Sequence, residues 1–370
     1  MQIADLEKIK KVAVIMAGEA GDSLWPCSVK ELPKEYNHFF GFGTMIQNTI
    51  RRLFPIFSYD EIYIVTDSKY KGLILDQVPE IKPGNIIEEP FGKNTATCLG
   101  LFATVKSDIL SDDTIMVAFP SDHVIYNIEE FHNSLITGIK FAYSSNSIVT
   151  LGIYPTKPET SFGYVQIRDT KDNLEEFYDL GVRYTSAFAE KPDTATAIRF
   201  LESGDFLWNS GIFIWRVDTF WDSYKVYLPE HYKEFQYLKD LIKTEYILGM
   251  VEETYRKLNS VSVDYAILEK AENVYVVKST FAWSDLNNWD EVYEIKTKDA
   301  RGNFFEGLII PINVKNSYVK AKHKLIGLVD IEDLIVIEDD NAILICKRGS
   351  SDKVREIVKY LKRKHIMKFQ

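Results

Sequence analysis

Two aspartates stand where predicted strands end. Asp122 closes the run TIMVAFPSD (114–122), and Asp285 lies in FAWSDLNNWDE (281–291), after the apolar stretch 273–281. Ligands collect at the carboxyl ends of parallel strands in open α/β sheets, and Mg²⁺ takes oxygen ligands that it shares with substrate phosphates. If the two aspartates meet, they form a two-carboxylate Mg²⁺ site. The alternative for Asp122 is a cap on the next helix, and the alternative for the aromatic residues around Asp285 is simple core packing.

The segment VAVIMAGEAGDSLWPCSVKELPKEY (12–36) begins as an apolar strand and turns into a loop with Gly18 and Gly21. Such a strand and glycine loop usually cradle phosphate through backbone N–H groups. This loop also carries Glu19 and Asp22, and it has no Arg or Lys before Lys30. A phosphate site at this loop therefore needs positive charge from elsewhere or an added cation.

Polar residues also interrupt apolar stretches further along the chain. Glu190 and Lys191 lie in FAEKPD (188–193), and Asn209 lies in FLWNSGIFIW (206–215). Buried polar groups must be hydrogen-bonded, so their partners are either each other or a small molecule with hydroxyl groups. The segment EEPFGKNTA (88–96) places further polar residues, Glu89, Lys93 and Asn94, in a loop that enters a helix, where a nucleotide could bind.

Short Val- and Ile-rich runs alternate with amphipathic stretches in the first half of the chain. Strands are predicted at 11–17, 61–67, 114–122 and 147–153, and helices at 44–54 and 94–109, the latter with Asn94 or Thr95 as N-cap. This alternation predicts parallel strands in βαβ units, and so an α/β fold.

After residue 150 the pattern changes. Strands are predicted at 162–167 and 186–192, a helix at 194–204 that ends at Gly204, and one or two helices over 232–258. From about 301, strand-like pieces recur every 8–12 residues and indicate a β-structured appendix. A basic amphipathic helix, 351–364, closes it.

The composition limits the possible classes of protein. The chain has 370 residues, 46% hydrophobic and 26% charged, as in a globular protein, and its net charge of −10 argues against general nucleic-acid binding. It has no run of apolar residues long enough for a membrane span and no signal-peptide pattern at the N-terminus. The three distant cysteines suggest a reducing compartment. A soluble cytoplasmic protein is predicted.

Eight motifs in order and at compatible spacing resemble the mannose-1-phosphate guanylyltransferases (GDP-mannose pyrophosphorylases) of the sugar-phosphate nucleotidyltransferase family. They are LWP with PK, EPFGKNTA, PSDH, FGY, EKP, FLWNSG, SVDYAILEK and WSDLNNW. The resemblance runs from about residue 11 to the end. It implies a Rossmann-like nucleotidyltransferase domain with a mixed, mostly parallel sheet (1–296) and a small C-terminal β-helix-like domain with a terminal helix (297–370). It also implies a homodimer.

The resemblance further implies Mg²⁺-dependent transfer of a nucleotidyl group from GTP to mannose 1-phosphate, with loss of pyrophosphate by direct in-line displacement. Lys34, Asp122 and Asp285 would be catalytic, and the two aspartates would hold the metal. The nucleotide would contact Ala17, Gly18, Gly21, Glu89, Lys93, Asn94, Thr95 and Asp122. The sugar phosphate would contact Gly163, Tyr164, Glu190, Lys191 and Asn209.

The glycine loop departs from the family pattern A-G-G-x-G-T-R-L-W-P. Glu19 replaces the second glycine and Ser23 replaces the arginine, and later in the chain Asn287 replaces the glycine of WSDLGxW. A lost charged hydrogen bond to phosphate costs roughly 1.5–3 kcal/mol, and a nearby carboxylate adds repulsion. Two alternatives therefore stand beside the first: an impaired or inactive homologue with a binding or regulatory role, and a nucleotidyltransferase for another sugar or base.

Overall fold

The computed structural model describes residues 6–18, 21–171, 174–242 and 248–369. The chain divides into two units, each assembled from separate stretches. Unit 1 consists of Met1–Gly18, Ile50–Ser121 and Ile125–Trp283, and unit 2 consists of Glu19–Thr49, Asp122–Val124 and Ser284–Gln370. The predicted domain boundary between residues 296 and 297 stays a prediction.

A nine-stranded mixed sheet is the centre of unit 1. The strands up to residue 284 are β1 (Lys11–Ala17), β2 (Ile62–Asp67), β3 (Ile86–Glu89), β4 (Ile115–Pro120), β5 (Val124–Ile125), β6 (Ile148–Ile153), β7 (Gly163–Arg168), β8 (Val182–Glu190), β9 (Phe206–Arg216), β10 (Val274–Ser279) and β11 (Trp283–Ser284). The order in the sheet is β3-β2-β1-β4-β9-β6-β10-β8-β7. The short strands β5 and β11 lie outside it.

The predicted α/β class with a mixed, mostly parallel sheet is confirmed. β1 pairs parallel with both β2 and β4, and β10 pairs parallel with β6. β8 and β9 run antiparallel to their neighbours, so they are the two reversed strands of the sheet in the described chain. The Val- and Ile-rich strands β1, β2, β4 and β6 are almost wholly buried, as expected for strands covered on both faces.

Helices cover this sheet and close the C-terminal part. They are α1 (Met45–Leu53), α2 (Lys71–Gln77), α3 (Asn94–Val105), α4 (Ile128–Ser145), α5 (Glu176–Asp179), α6 (Thr194–Ser203), α7 (Val217–Tyr227), α8 (Pro229–Ile242), α9 (Leu248–Lys257), α10 (Trp289–Ile295) and α11 (Val354–Arg363). A π-helix spans Asp264–Leu268.

Three helix predictions can be compared with these bounds. The helix predicted at 194–204 is α6, and Gly204 ends it with a left-handed φ of 74°. The stretch 232–258 forms two helices, α8 and α9, with residues 243–247 outside the described chain. The predicted N-cap of α3 was wrong: Lys93 is the N-cap, because the helix already includes Asn94 and Thr95.

Unit 2 contains a small β-helix-like domain, as predicted. Its strands are β12 (Phe304–Glu306), β13 (Ile309–Ile312), β14 (Tyr318–Lys320), β15 (Ile326–Val329), β16 (Leu334–Asp339) and β17 (Ala342–Lys347). β12, β14 and β16 stack in parallel, β13 stacks on β15, and the antiparallel β17 closes the larger sheet. Buried valine and leucine side chains fill the interior: Val314, Val319, Leu328 and Val336.

Among the helices that the structure describes, none combines the length and the apolar character that crossing a membrane requires.

Candidate active site

A glycine turn in unit 2 brings the loop after β1 against Lys34. Gly21 has a left-handed φ of 59°. A Cβ at this position would lie 2.4 Å from Ser28 Oγ and 2.7 Å from Lys34 Cβ. Real Cβ atoms do not approach other atoms so closely, so the turn needs glycine both for its φ and for space.

Lys34 is a buried cation. It begins a 3₁₀ turn, Lys34–Tyr36, and is 2% exposed. Its Nζ donates to Asp122 Oδ2 at 2.5 Å and also to the main-chain carbonyl oxygen of Asp285. Two oxygens bonded to one nitrogen lie within about 6 Å of one another. The structure therefore brings together Lys34, the Asp122 carboxylate and the main chain of Asp285, and a metal site shared by the two carboxylates stays a prediction.

Lys34 also sets the protonation state of Asp122. Burial alone would raise the pKa of the Asp122 carboxyl, but the Lys34 ammonium and the neighbouring His123 more than offset it, and the pKa lies below its usual range. Asp122 is consequently ionised at neutral pH. The pair therefore consists of two buried opposite charges. Because solvent screens them weakly, each interacts strongly with any charged group that binds nearby.

Asp285 is held in a strained turn. The carboxylate accepts a hydrogen bond from Asn287 Nδ2, and Asn287 N donates to Glu291 Oε2 at 2.9 Å. Between them, the buried Leu286 has a φ of 47°, which is uncommon for a residue with a branched side chain. Asn287, which replaces the family glycine, thus fixes the direction of the Asp285 carboxylate. In the sequence, Asn287 is recognisable only as a departure from the family motif.

The donor set suits a hard divalent cation only in part. Asp122 and Asp285 supply carboxylate oxygens, which Mg²⁺ prefers. In the part of the chain that the structure describes, no cluster of three or more His, Cys, Asp or Glu side chains could hold a metal ion. Mg²⁺ is commonly held by one or two carboxylates with substrate phosphates and water completing its shell. The residues therefore fit a metal that is bound together with a substrate.

Asp22, one of the two acids of the glycine loop, has a cationic partner. Asp22 Oδ2 pairs with Lys362 Nζ of α11 at 2.6 Å, and Ser23 is buried at 3% exposure. The Trp25 indole N–H, just after this turn, donates to the carbonyl of Phe369 at 2.8 Å. The C-terminal segment therefore packs on the loop and supplies a cation beside Asp22, a contact that sequence analysis did not predict. Glu19 lies outside the described residues.

In unit 1, the end of β1 lies beside a buried acid. Ala17 is buried and Gly18 is exposed, and a Cβ on Gly18 would lie 3.9 Å from Glu89 Oε2. Glu89 Oε1 accepts a hydrogen bond from the Tyr255 hydroxyl at 2.9 Å. Burial raises the pKa of Glu89 to about 7, although the Tyr255 hydrogen bond acts in the opposite direction. This carboxyl can therefore gain or lose a proton near neutral pH.

The loop before α3 is anchored to the C-terminal end of α9 and to the segment that follows it. The Lys93 ammonium donates to the carbonyls of Tyr255 and Leu258, at the C-terminal end of α9, where cations stabilise a helix. Thr95 Oγ1 accepts from Val263 N at 2.9 Å. Asn94 is exposed, with a φ of 66°. Lys93 and Thr95 thus position α3, and their assignment to the nucleotide stays a prediction.

Four residues assigned to the sugar phosphate lie together in unit 1. Gly163 is paired with Glu190 across β7 and β8. A Cβ on Gly163 would lie 2.6 Å from Glu190 Oε2 and 3.5 Å from Asn209 Cβ, so glycine makes room for this carboxylate. Lys191 follows with a φ of 49°, is exposed, and pairs with Glu190 at 3.3 Å.

Tyr164, assigned to the same group, faces the interior. Its side chain is fully buried, and its hydroxyl donates to the carbonyl of Glu159 at 2.9 Å. It packs beside Phe200. Any contact of this residue with a sugar would have to come from its main chain, because the side chain is committed to the loop before β7.

Asp264 adjoins these residues and was missed by the sequence analysis. Asn209 Nδ2 donates to Asp264 Oδ1 at 2.8 Å, and Thr150 Oγ1 donates to Asn209 Oδ1 at 2.8 Å. Asp264 is the first residue of the π-helix, a geometry often found at functional sites. The available signal was the motif SVDYAILEK, which contains this aspartate but was given no role.

Two family models match the chain in succession. The nucleotidyl transferase model matches residues 12–302, and the model of the mannose-phosphate isomerase/GMP-like β-helix domain matches residues 307–361. The first covers more than half of the chain.

Relatives of the whole chain carry a consistent name. A mannose-1-phosphate guanylyltransferase from Salmonella montevideo is 32% identical over 352 residues, which is 94% of this chain and 73% of that protein. One from Escherichia coli K12 is 30% identical, over 95% of this chain and 74% of that protein. A solved structure from Thermus thermophilus, described as a mannose-1-phosphate geranyltransferase, superimposes with a TM-score of 0.85 at 26% identity, over 96% of this chain and all of that one.

Proposed function

The chain belongs to the nucleotidyl transferase family, among relatives named mannose-1-phosphate guanylyltransferase, and from that membership we propose that it makes GDP-mannose. GTP would donate its guanylyl group to mannose 1-phosphate, and pyrophosphate would leave. A phosphate oxygen of the sugar phosphate attacks the α-phosphorus in line with the departing pyrophosphate. The new P–O bond forms as the α–β bridging bond breaks, and no covalent intermediate on the protein is needed.

One observation carries this proposal most directly. The Lys34 ammonium is buried against a carboxylate and a main-chain carbonyl, and the Cβ of the same lysine packs against the Gly21 turn. Catalysis of phosphoryl transfer consists mainly of alignment and of neutralising charge that spreads over phosphate oxygens. In this role, Lys34 turns from Asp122 to a phosphate oxygen when GTP binds.

Nucleotidyl transferases of this family generally use a divalent metal ion. We assign Mg²⁺ to the carboxylates of Asp122 and Asp285, with phosphate oxygens and water as the remaining ligands. When bound, such an ion withdraws charge from the phosphates and helps to hold them in line. The low pKa of Asp122 keeps this ligand ionised, and Asn287 keeps the Asp285 carboxylate in place.

The remaining assigned residues would bind the two substrates. Gly18 after β1 and Glu89 at the end of β3, with the loop before α3, would contact the nucleotide. Gly163, Glu190 and Asn209 would take the sugar hydroxyls, and the exposed Lys191 ammonium would pair with the sugar phosphate. Glu190 and Lys191 already pair with each other, so binding of a phosphate would exchange one anionic partner of Lys191 for another.

The proposal is tested by incubating the purified chain with GTP, mannose 1-phosphate and MgCl₂. We expect equal amounts of pyrophosphate and GDP-mannose, and loss of both in the Asp122→Asn variant. Other nucleoside triphosphates and hexose 1-phosphates, assayed in parallel, test the alternative of a different base or sugar. A protein that unfolds cooperatively but forms no nucleotide sugar from any of these pairs would leave the impaired homologue as the better interpretation.

We also propose a homodimer that forms through the β-helix-like domain. Large apolar side chains on β13, β15 and the turns beside them are exposed: Leu308 (66%), Ile310 (52%), Ile312 (57%), Leu325 (62%) and Val329 (58%). Contiguous exposed apolar surface marks interaction sites. Light scattering should give twice the mass of the chain, and Ile310→Asp together with Ile312→Asp should give the mass of one chain.

A further inference from the structure

The Asn209 side chain is held from both ends. Its Oδ1 accepts hydrogen bonds from Thr150 Oγ1 at 2.8 Å and from Gly211 N at 3.3 Å. Its Nδ2 donates to Asp264 Oδ1 at 2.8 Å. The Gly211 N–H donates but does not accept, and the ionised form of Asp264 accepts but does not donate, so these partners fix which end of the amide is which. The amide N–H groups therefore lie on the side of Asp264.

Asp264 is itself fixed by the elements around it. It begins the π-helix Asp264–Leu268, whose preceding residue, Val263, is bonded through its N–H to Thr95 Oγ1 of α3. Glu190 is close enough for its charge to act on Asp264. Burial first, and then Glu190, raise the pKa of Asp264 to about 7. A poorly solvated carboxyl beside a second acid is costly, which suggests a functional reason for keeping it.

We propose that Asp264 is a positioning residue of the sugar site, which sets the direction of the Asn209 amide and so presents an N–H donor to a hydroxyl of a hexose 1-phosphate. This inference rests on the proposed function, because it deepens the assignment of Asn209 to the sugar. In the described chain, the second N–H of Asn209 Nδ2 has no protein acceptor, and it is the group available to the ligand. Glu190, beside Gly163, supplies an acceptor for sugar hydroxyls next to this donor.

The first test replaces Asp264 by asparagine. An amide at this position can donate as well as accept, so Asn209 can turn over and present its carbonyl instead. We expect the KM for mannose 1-phosphate to rise roughly tenfold to a hundredfold, the effect of one charged hydrogen bond. The kcat and the KM for GTP should change less than about threefold, on the same scale of free energy. Asp264→Ser, which removes the carboxyl without adding bulk, carries the same expectation should Asp264→Asn not fold.

The chain contains a matched control next to the strand that carries Asn209. Asp205, just before β9, accepts from Gln166 Nε2 at 2.8 Å, which is the same amide–carboxylate pair without a predicted ligand. Asp205→Asn should leave the KM for mannose 1-phosphate unchanged. Equal effects of Asp205→Asn and Asp264→Asn on this KM would mean a general loosening of the sheet and would overturn the proposal.

A double-mutant cycle tests whether Asp264 acts through Asn209. Once Asn209→Ala has removed the amide, the further change Asp264→Asn should hardly alter the affinity for mannose 1-phosphate. Calorimetry gives this affinity without turnover, so it can be measured even in an inactive protein. Additive effects of the two substitutions would overturn the inference.

The outcomes for the inference and for the proposed function are distinct. If the wild type makes GDP-mannose and Asp264→Asn keeps its KM, the inference fails and the function stands. If the wild type binds mannose 1-phosphate but makes no nucleotide sugar, the function fails and the calorimetric cycle still decides the inference. A wild type that does not bind mannose 1-phosphate overturns both.

Discussion

At the scale of the residue, burial decides how the Lys34–Asp122 pair behaves. Side-chain exposures of 2% and 8% place it far from the solvent that screens surface pairs. A buried pair contributes little net stability, yet breaking it by removing one partner costs about 3–5 kcal/mol, because the other charge stays buried alone. The intact pair can therefore contribute little to the free energy of unfolding, while the loss of either partner alone strongly destabilises the protein.

Lys34→Met is therefore expected to destabilise the protein by about 3–5 kcal/mol at pH 8. The double variant Lys34→Met/Asp122→Asn should recover at least half of this loss, since no unpaired charge remains. Urea unfolding gives both values. A double variant no more stable than Lys34→Met would show that packing, and not the charge left behind, causes the destabilisation.

The pH dependence of Glu89 has the opposite sign from that of an ion-paired acid. Its pKa is raised to about 7 when folded, so its contribution to stability is full below the unfolded pKa and is lost as pH rises through the folded one. Glu89→Gln should thus gain stability relative to the wild type between pH 5 and pH 8, by at most about 3 kcal/mol. Urea unfolding at both pH values measures this difference. A constant difference between the two proteins would place the Glu89 pKa outside this range.

Sequence reasoning reached these residues unevenly. The residues at the ends of β1 and β4 could be predicted, because apolar runs show where strands end. Parallel strands place those ends at the same edge of the sheet. Sequence reasoning missed Asp264, because its contact with Asn209 joins residues 55 positions apart and depends on a π-helix. No local pattern of apolar and polar residues predicts such a bulge, so only the fold could show the pair.

At the scale of the element, the glycine turn after β1 depends on one residue in two ways. Gly21 and Gly204 both have left-handed backbones, with φ of 59° and 74°. A Cβ on Gly21 would collide with Ser28 and Lys34, whereas a Cβ on Gly204 would have no neighbour within 4 Å. The two positions separate the cost of the backbone conformation from the cost of the collision.

Gly204→Ala should cost about 1 kcal/mol of stability and leave turnover unchanged, because only the φ is unfavourable. Gly21→Ala should cost more and lower kcat at least tenfold, because Lys34 must move to make room. Chemical unfolding and steady-state kinetics on both variants measure these effects. Equal losses of stability and of kcat at the two positions would show that Gly21 is needed for the backbone conformation of the turn and not for the position of Lys34.

Element prediction succeeded where one physical signal dominated. Continuous apolar runs gave β1, β2, β4 and β6, and the regular spacing of short strands after residue 301 gave a β-structured C-terminal part, whose β-helix-like form was implied by the family resemblance. The start of α3 was predicted wrongly for a specific reason. Asn94 or Thr95 is the N-cap predicted from the sequence, but both lie inside the helix, Asn94 with a φ of 66°, and the Lys93 ammonium bonds to the C-terminal end of α9. Tertiary hydrogen bonds overrode the local preference.

At the scale of the whole molecule, the C-terminal segment contacts the glycine loop within unit 2. Lys362 of α11 pairs with Asp22 of the glycine loop, 340 residues away, and Trp25 bonds to the main chain of Phe369. The family arginine of this loop is absent, and Ser23 stands in its place. The basic amphipathic helix predicted at 351–364 thus places positive charge beside a loop at which, on the sequence, a phosphate site needs positive charge from elsewhere or an added cation.

Lys362→Ala should therefore weaken GTP binding, since it uncovers the Asp22 carboxylate next to the proposed phosphate site. The pair is about half exposed, so we expect a loss of roughly threefold to tenfold at low salt that shrinks as salt is added. Lys359→Ala removes the same charge from the same exposed helix without touching Asp22, and it should have a smaller effect. Calorimetric titration of GTP at two salt concentrations measures both. Equal losses of GTP affinity in the two variants would mean that α11 acts only through its overall charge. No loss of affinity in either variant would mean that the loop binds phosphate without help from the C-terminal helix.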